Sequence, residues 1–155
     1  KATNSDVFLA RSSDGGLTWR TTLLDRTRND QFYPWVAVAP DGRVDVGYMD
    51  RSYSTGQSVC QYGFTLTRAV FDRRSGRMIS AIRQRVDTGL SDLKRSRWFA
   101  VGSEGNSRFI GDYNAVAVDR GGRTWSLWTD QRADVAAPPS PNRVKGQHAV
   151  GTVTP

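Results

Sequence analysis

The segment Ser12–Trp19 is the feature that most constrains the fold of this chain. The segments on either side of it, Asp6–Arg11 and Arg20–Leu24, are rich in β-forming residues, which is the pattern of two strands joined by a hairpin. A pair of glycines that starts at Gly15 supplies the positive-φ positions of a tight turn, and Asp14 can accept hydrogen bonds from turn amides. The sequence therefore predicts a β-hairpin here, in which Trp19 covers the turn.

A different hairpin pattern occurs twice in the chain, at an offset of 80 residues. The first copy covers residues 31–51, in which Asp41-Gly42 is a hairpin turn signal between two β-rich runs, and the second copy covers residues 112–130. A third hairpin, over residues 62–82, lies between the copies. The matching pairs are Ala37 and Ala117, Val38 and Val118, Gly42 and Gly122, Arg43 and Arg123, Tyr48 and Trp128, and Asp50 and Asp130.

These hairpins divide the chain into repeating units. Residues 1–30 form half a unit, residues 31–86 a whole four-stranded unit, residues 87–108 a long connection, and residues 109–155 the start of the next unit with a C-terminal strand. A repeating four-stranded antiparallel unit is typical of a β-propeller blade. Fifteen Gly, six Pro and 10% aromatic residues also favour an all-β fold of short strands joined by turns.

The composition limits the partners and sites that we consider. The net charge of +7 is carried almost wholly by Arg, which either forms a surface for polyanions or reflects codon bias with the charges spread over a solvated surface. No dense basic run or nucleic-acid motif is present, so no nucleic-acid partner is expected. No apolar run approaches the length of a membrane span. Cys60 and His148 are each the only residue of their kind, which excludes an intrachain disulfide and a multi-histidine site.

One motif resembles that of a known family. Ser12, Asp14, Gly16, Thr18 and Trp19 fit the pattern Ser-x-Asp-x-Gly-x-Thr-Trp, so the chain resembles the sialidase-like family of Asp-box (BNR repeat) β-propellers, in particular its bacterial secreted members. The resemblance implies an extracellular location. It also implies a portion of a six-bladed propeller, about two and a half four-stranded blades, in which the Asp-box is a structural motif.

Further segments resemble the inner strands of such propellers. They are Pro34–Val38 with Asp41-Gly42, and Phe109–Tyr113 with Trp128–Arg132.

The chain departs from the family pattern in two respects. It is too short for a closed ring, so it is a fragment, one part of a nicked protein, or a protomer that closes its ring by association. The expected partners are therefore the remainder of the propeller or copies of the chain itself, together with a glycan or glycoprotein. The arginine motif of the Phe/Tyr-Arg-Ile-Pro type is absent, and Glu104 is the only glutamate.

The resemblance also implies a chemistry. Sialidases hold the substrate carboxylate with arginines and use a tyrosine nucleophile assisted by a glutamate, with an aspartate as acid–base. Asp112 and Tyr113 open a first strand at the same face as the strand ends described next, and this repeat geometry makes them the catalytic candidates.

Repeat geometry indicates the substrate-binding candidates, which are Asp50 and Arg51 together with Asp130 and Arg132. Each pair closes the second strand of its unit, and in an antiparallel hairpin the end of that strand lies beside the start of the first. Asp–Arg pairs that tie neighbouring blades together would produce the same repeat, so a structural role stays open.

No cofactor is expected, although Asp50, Asp112 and Asp130 are a weak candidate set for Ca²⁺ because no calcium-loop spacing occurs. A second open question concerns the aromatic residues, which either stack on sugars or pack between sheets. For Trp35 and Trp128 we expect core packing. The aromatic residues in question are Tyr33, Trp35, Tyr53, Trp98 and Trp128.

Two functions are compatible with these features. The first is an extracellular sialidase-type glycoside hydrolase that acts on terminal glycan sugars. The second is a non-catalytic propeller that binds carbohydrate or protein, or a structural fragment of a larger protein, in which the Asp-box serves only the fold.

Overall fold

The computed structural model describes residues 4–54, 61–92 and 111–130 and the backbone of residues 148–154. These residues form antiparallel β-sheets, so the all-β prediction is confirmed. A single short 3₁₀ helix in the described residues, Arg51–Tyr53, follows the fourth strand. No helix in these ranges has the length and apolar character needed to cross a membrane. The strands are β1 (Val7–Arg11), β2 (Arg20–Asp25), β3 (Gln31–Val38), β4 (Val44–Asp50), β5 (Gln61–Phe71), β6 (Met78–Arg85), β7 (Ser91–Asp92), β8 (Ala115–Val118), β9 (Thr124–Asp130) and β10 (His148–Thr154).

The strands form three groups. β1 and β2 form a two-stranded hairpin, β3 to β6 form an antiparallel sheet in chain order, and β8, β9 and β10 form a three-stranded sheet. The antiparallel sheet from β3 to β6 runs from residue 31 to residue 85. One addition lies within the connection predicted over residues 87–108, where β7 pairs with the start of β5.

The sequence repeat is also a repeat of backbone geometry. In the β3–β4 turn the amide of Ala39 donates to the carbonyl of Arg43 at 2.8 Å. In the β8–β9 turn the amide of Asp119 donates to the carbonyl of Arg123 at 2.9 Å. The glycines of the two turns have φ values of 92° and 81°. Only glycine adopts such values without strain, which explains why this position matches in both copies.

The central strand of the four-stranded sheet, β4, is covered on both faces. On one face, the β1–β2 hairpin packs against β4, and Val7 shares a buried cluster with Val44, Val46 and Tyr48. Residues of β4 alternate between faces, so the intervening positions point to the opposite side. All seven residues of β4 are buried, which makes this strand the centre of the described structure.

The second face packs against the β8–β9–β10 sheet. The ring of Phe64 stacks on Trp128 with centroids 4.8 Å apart. A Cβ built at Gly47 would lie 2.6 Å from a methyl carbon of Val116 and 2.8 Å from the Phe64 ring, so this glycine permits the close approach of the two sheets. Core packing of Trp128 is thereby confirmed.

Core packing of Trp35 was predicted wrongly, since this side chain is 47% exposed. The reason is its position on β3, which pairs only with β4 among the described strands and forms the edge of the sheet. A large apolar side chain on an edge strand is covered on fewer sides than one on a central strand.

We predict that Gly47→Ala destabilises the fold by about 1–3 kcal/mol, because the added methyl group overpacks the contact with Val116 and Phe64. Chemical denaturation measures this change. Adding Val116→Ala, which removes the nearest methyl group, is expected to recover part of the loss beyond the cost of Val116→Ala alone. An unchanged free energy of unfolding in Gly47→Ala would contradict the observed sheet packing.

Candidate functional site

The Asp-box residues form a closed set of hydrogen bonds within the β1–β2 turn. The carboxylate of Asp14 accepts from the amide of Thr18 at 2.9 Å and from its hydroxyl at 2.5 Å. Ser12 donates its hydroxyl to Asp14 at 2.7 Å and accepts from the Gly16 amide at 2.8 Å. The indole of Trp19 donates to the Gly16 carbonyl at 3.0 Å. These side chains bond to one another and to the turn backbone. A structural role in the turn therefore explains why these residue types occur together.

The same bonds change the acidity of the turn. Hydrogen bonds from the hydroxyl and amide of Thr18, followed by that from the Ser12 hydroxyl, lower the pKa of Asp14 from 3.8 to about 2. Each donor favours the ionised carboxylate. Asp14 is therefore a charged structural group and not a proton donor near neutral pH.

Asp50, a predicted substrate-binding residue, is fully buried at the end of β4. Its carboxylate accepts from the amide of Ser52 at 2.8 Å and from the hydroxyl of Thr65 at 2.9 Å, and it forms an ion pair with Arg83. The first of these bonds caps the short 3₁₀ helix. Asp50 thus faces protein groups on its own sheet.

Arg83 connects this site to the β1–β2 hairpin. Its guanidinium also contacts the carboxylate of Asp25, at the end of β2, at 2.9 Å. Burial opposes the charge of Arg83, yet the carboxylates of Asp50 and Asp25 raise its pKa above the usual value. Tyr48 donates its hydroxyl to Asp25 at 2.6 Å, and burial and this bond raise the tyrosine pKa. This charged, hydrogen-bonded cluster therefore joins the β1–β2 hairpin to the four-stranded sheet.

The corresponding residue of the second copy, Asp130, is also buried. It accepts from the hydroxyl of Ser91, on β7, at 3.4 Å. Tyr62, next to Ser91 in the β5–β7 pairing, donates to the carbonyl of Thr129 at 3.4 Å. Gly63, the neighbour of Tyr62 on β5, pairs with Asp50. The ends of β4 and β9 therefore lie close to one another on either side of Tyr62.

Arg51, the next predicted substrate-binding residue, contacts the segment that precedes β3. Its guanidinium forms an ion pair with Asp30 at 2.6 Å, and its amide donates to the Asp30 carbonyl at 3.0 Å. The fourth predicted substrate-binding residue, Arg132, lies outside the described residues, as do Trp98 and Glu104.

A second interlayer cluster was not singled out by the sequence. Arg43 contacts the fully buried carboxylate of Asp45 at 2.9 Å and donates to the carbonyl of Gly122 at 2.7 Å. The hydroxyl of Thr124, at the start of β9, donates to Asp45. This cluster joins the four-stranded sheet to the β8–β9–β10 sheet.

Two tyrosines at equivalent repeat positions are exposed where the first strands begin. Tyr33 is 42% exposed and Tyr113 81% exposed, and their numbers differ by the repeat offset of 80. The Asn114 side chain donates to the carbonyl of Tyr33 at 2.7 Å and so links the two strand starts. The repeat offset of 80 residues is the sequence signal that pairs these two tyrosines.

The backbone of Tyr33 is strained. Its φ is +53°, the single positive value among the described non-glycine residues, and it lies at an irregularity in the β3–β4 pairing between Phe32 and Trp35. Such strain is often retained at functional sites. The carbonyl of this residue accepts the hydrogen bond from Asn114.

The predicted catalytic pair includes Tyr113, one of these two exposed tyrosines. Asp112 and Tyr113 precede β8, and both are exposed. Within the described residues no group of three or more acidic, histidine or cysteine side chains is arranged to hold a metal ion. Of the predicted set, therefore, Asp112 and Tyr113 are accessible from solvent, whereas Asp50 and Asp130 are enclosed by protein.

No family model matches this chain, and comparisons with curated proteins and with solved structures return no significant match.

We predict that Asp14→Asn lowers thermal stability at neutral pH, because it removes the charge that the Thr18 and Ser12 donors stabilise. The lowered pKa of Asp14 places its stabilising contribution above pH 3.8, and the contribution is lost as the pH falls through about 2. The difference in Tm between the wild type and the variant should therefore shrink over that interval. A difference that is constant with pH would show that the charge of Asp14 is not involved.

We predict that Arg83→Met costs about 3 kcal/mol of unfolding free energy, because the buried carboxylate of Asp50 loses its counter-charge. Urea denaturation provides the value. Arg123→Met is the matched control: it breaks an exposed ion pair with Asp119 and should cost less than about 1 kcal/mol. Equal effects of the two substitutions would argue against a structural role for the cluster around Asp50.

Proposed function

We propose that this chain is part of a β-propeller that binds glycan on the surface formed by Tyr33 and Tyr113. The observation that carries the proposal is the exposure of two aromatic side chains at equivalent repeat positions, with the side chain of Asn114, the neighbour of Tyr113, bonded to the backbone carbonyl of Tyr33. Exposed aromatic rings offer apolar faces with a polar hydroxyl and suit the faces of sugar rings. An extracellular location is part of the same proposal, because the Asp-box motif resembles that of secreted propellers.

The stacking of the sheets supports the propeller. In that fold, equivalent strands of successive blades lie beside one another around an axis. The first strands of the two repeat copies, β3 and β8, meet through the Asn114–Tyr33 hydrogen bond, and Val116 of β8 lies against Gly47 of β4. The sheets thus stack with their first hairpins in contact.

An open groove beside β1 supports the same proposal. Its cavity of about 750 Å³ runs between Leu9 and Ala10 of β1 and the exposed Val36 and Val38 of β3. β1 pairs with β2 alone among the described strands, so its other backbone edge borders the groove. Two further strands in this groove would turn the hairpin into a four-stranded blade and cover both valines.

Glycoside hydrolysis is the second candidate function. The exposure of both Asp112 and Tyr113 favours it, because an acid–base group and a nucleophile must reach the substrate. The burial of Asp50 and Asp130 removes two of the predicted substrate-binding residues from either function, since neither carboxylate reaches a ligand on this surface without rearrangement of the strands around it.

The binding proposal predicts that Tyr33→Gly and Tyr113→Ala each weaken glycan binding about tenfold, a loss of about 1.4 kcal/mol. Glycine suits the positive φ at position 33, so this substitution removes the ring without adding strain. Affinities for a panel of sialylated and neutral oligosaccharides, measured by calorimetry, test the expectation.

Leu17→Ala is the control for this experiment, because Leu17 is 85% exposed and lies in the Asp-box turn. It should leave glycan affinity unchanged. Wild-type affinity in both tyrosine variants would contradict the binding proposal. Turnover of a fluorogenic sialoside that is lost in Tyr113→Phe would favour the hydrolase instead.

A further inference from the structure

We propose that the arginines between the β1–β2 and β5–β6 turns form a binding site for a tetrahedral oxyanion, either sulfate or phosphate. A cavity of about 110 Å³ lies between these turns. Four guanidinium groups and several hydroxyl side chains line it. The residues concerned are Arg11, Arg20, Arg73 and Arg74 with Ser13, Thr18, Thr22 and Ser75.

None of these four arginines forms an ion pair with a carboxylate within the described part of the chain. The ion pairs found there use other arginines, those at positions 26, 43, 51, 83, 85 and 123. Four like charges around one small cavity repel one another, and an anion between them would relieve that repulsion. The uncompensated charge is the first observation that points to a ligand.

Three of the arginines are already held in position. Arg11 donates to the carbonyl of Gly76 at 3.3 Å and lies 5.1 Å from the centre of the Phe71 ring. Arg20 donates to the carbonyl of Ser75 at 3.2 Å, and Arg73 donates to that of Asp41 at 2.9 Å. A guanidinium has five N–H donors, so each keeps further donors for a ligand after these bonds. Positioned donors bind at a lower entropic cost than free side chains.

The nearby carboxylates are engaged within their own turns. Asp14 accepts from Thr18, and Asp72 accepts from the amide and the hydroxyl of Ser75, both at 2.6 Å. The Ser75 hydroxyl and amide lower the pKa of Asp72, so it is charged at neutral pH. Even with both negative charges counted, the four arginines leave this region positive.

The shape and chemistry of the cavity favour a tetrahedral oxyanion. Guanidinium groups pair with phosphate and sulfate oxygens through two parallel hydrogen bonds, and several such groups can surround one tetrahedral ion. Arg20, Arg73 and Arg74 are exposed, so an anion attached to a larger molecule has access. This site is formed by other strands and turns than the Tyr33–Tyr113 surface and does not depend on glycan binding there.

Calorimetric titration with sodium sulfate and sodium phosphate, at an ionic strength matched with sodium chloride, tests the site. The double variant Arg73→Gln/Arg74→Gln should bind both ions at least tenfold more weakly than the wild type. Arg28→Gln/Arg120→Gln removes the same charge at exposed positions outside the cavity and should bind like the wild type. Thermal unfolding of each variant verifies that it is folded.

A further arm distinguishes the source of the anion. If a sulfated monosaccharide binds at least tenfold more tightly than inorganic sulfate, the ligand is a sugar-borne sulfate group. If the two affinities are equal, the ligand is the free ion. Both results support the site. Absence of sulfate and phosphate binding would overturn the proposal. An equal loss of affinity in the two double variants would also overturn it, because it would show binding to the overall charge of the protein.

Discussion

The burial of β4 on both faces is the constraint on which the rest of the described structure depends. One face of this strand meets the β1–β2 hairpin through Val44, Val46 and Tyr48. The other face allows the β8–β9–β10 sheet to approach at Gly47. Apolar burial on two sides supplies the main stabilisation of such a layered arrangement.

Each of the two layer contacts also contains a charged cluster. Arg83 joins β6 to Asp25 of the hairpin, and Arg43 with Asp45 joins the central sheet to Thr124 of β9. A buried ion pair adds little net stability but penalises alternative packings that leave a charge without its partner. These clusters hold neighbouring layers in register, and this structural role accounts for the buried carboxylate of Asp50 at the end of β4.

The sequence predicted the hairpins well because their signals are local. Turn glycines and alternating β-rich runs located the strands of residues 31–86, and the matched turns at Gly42 and Gly122 proved equivalent in backbone geometry. The exposure of Trp35 was not predictable in this way, since it depends on which strand forms the sheet edge. Nor was the burial of Asp50, because its partners Thr65 and Arg83 come from strands whose alignment is set by tertiary packing. The surface tyrosines were detectable from the repeat offset, but their exposure was not.

The equivalent positions of the repeat divide into buried carboxylates and exposed tyrosines, and a crystal structure of the protein with a bound sialylated oligosaccharide tests the proposed glycan surface most directly. We expect the sugar to lie against the rings of Tyr33 and Tyr113, with the carboxylates of Asp50 and Asp130 out of its reach. A sugar bonded to either of those carboxylates would contradict it.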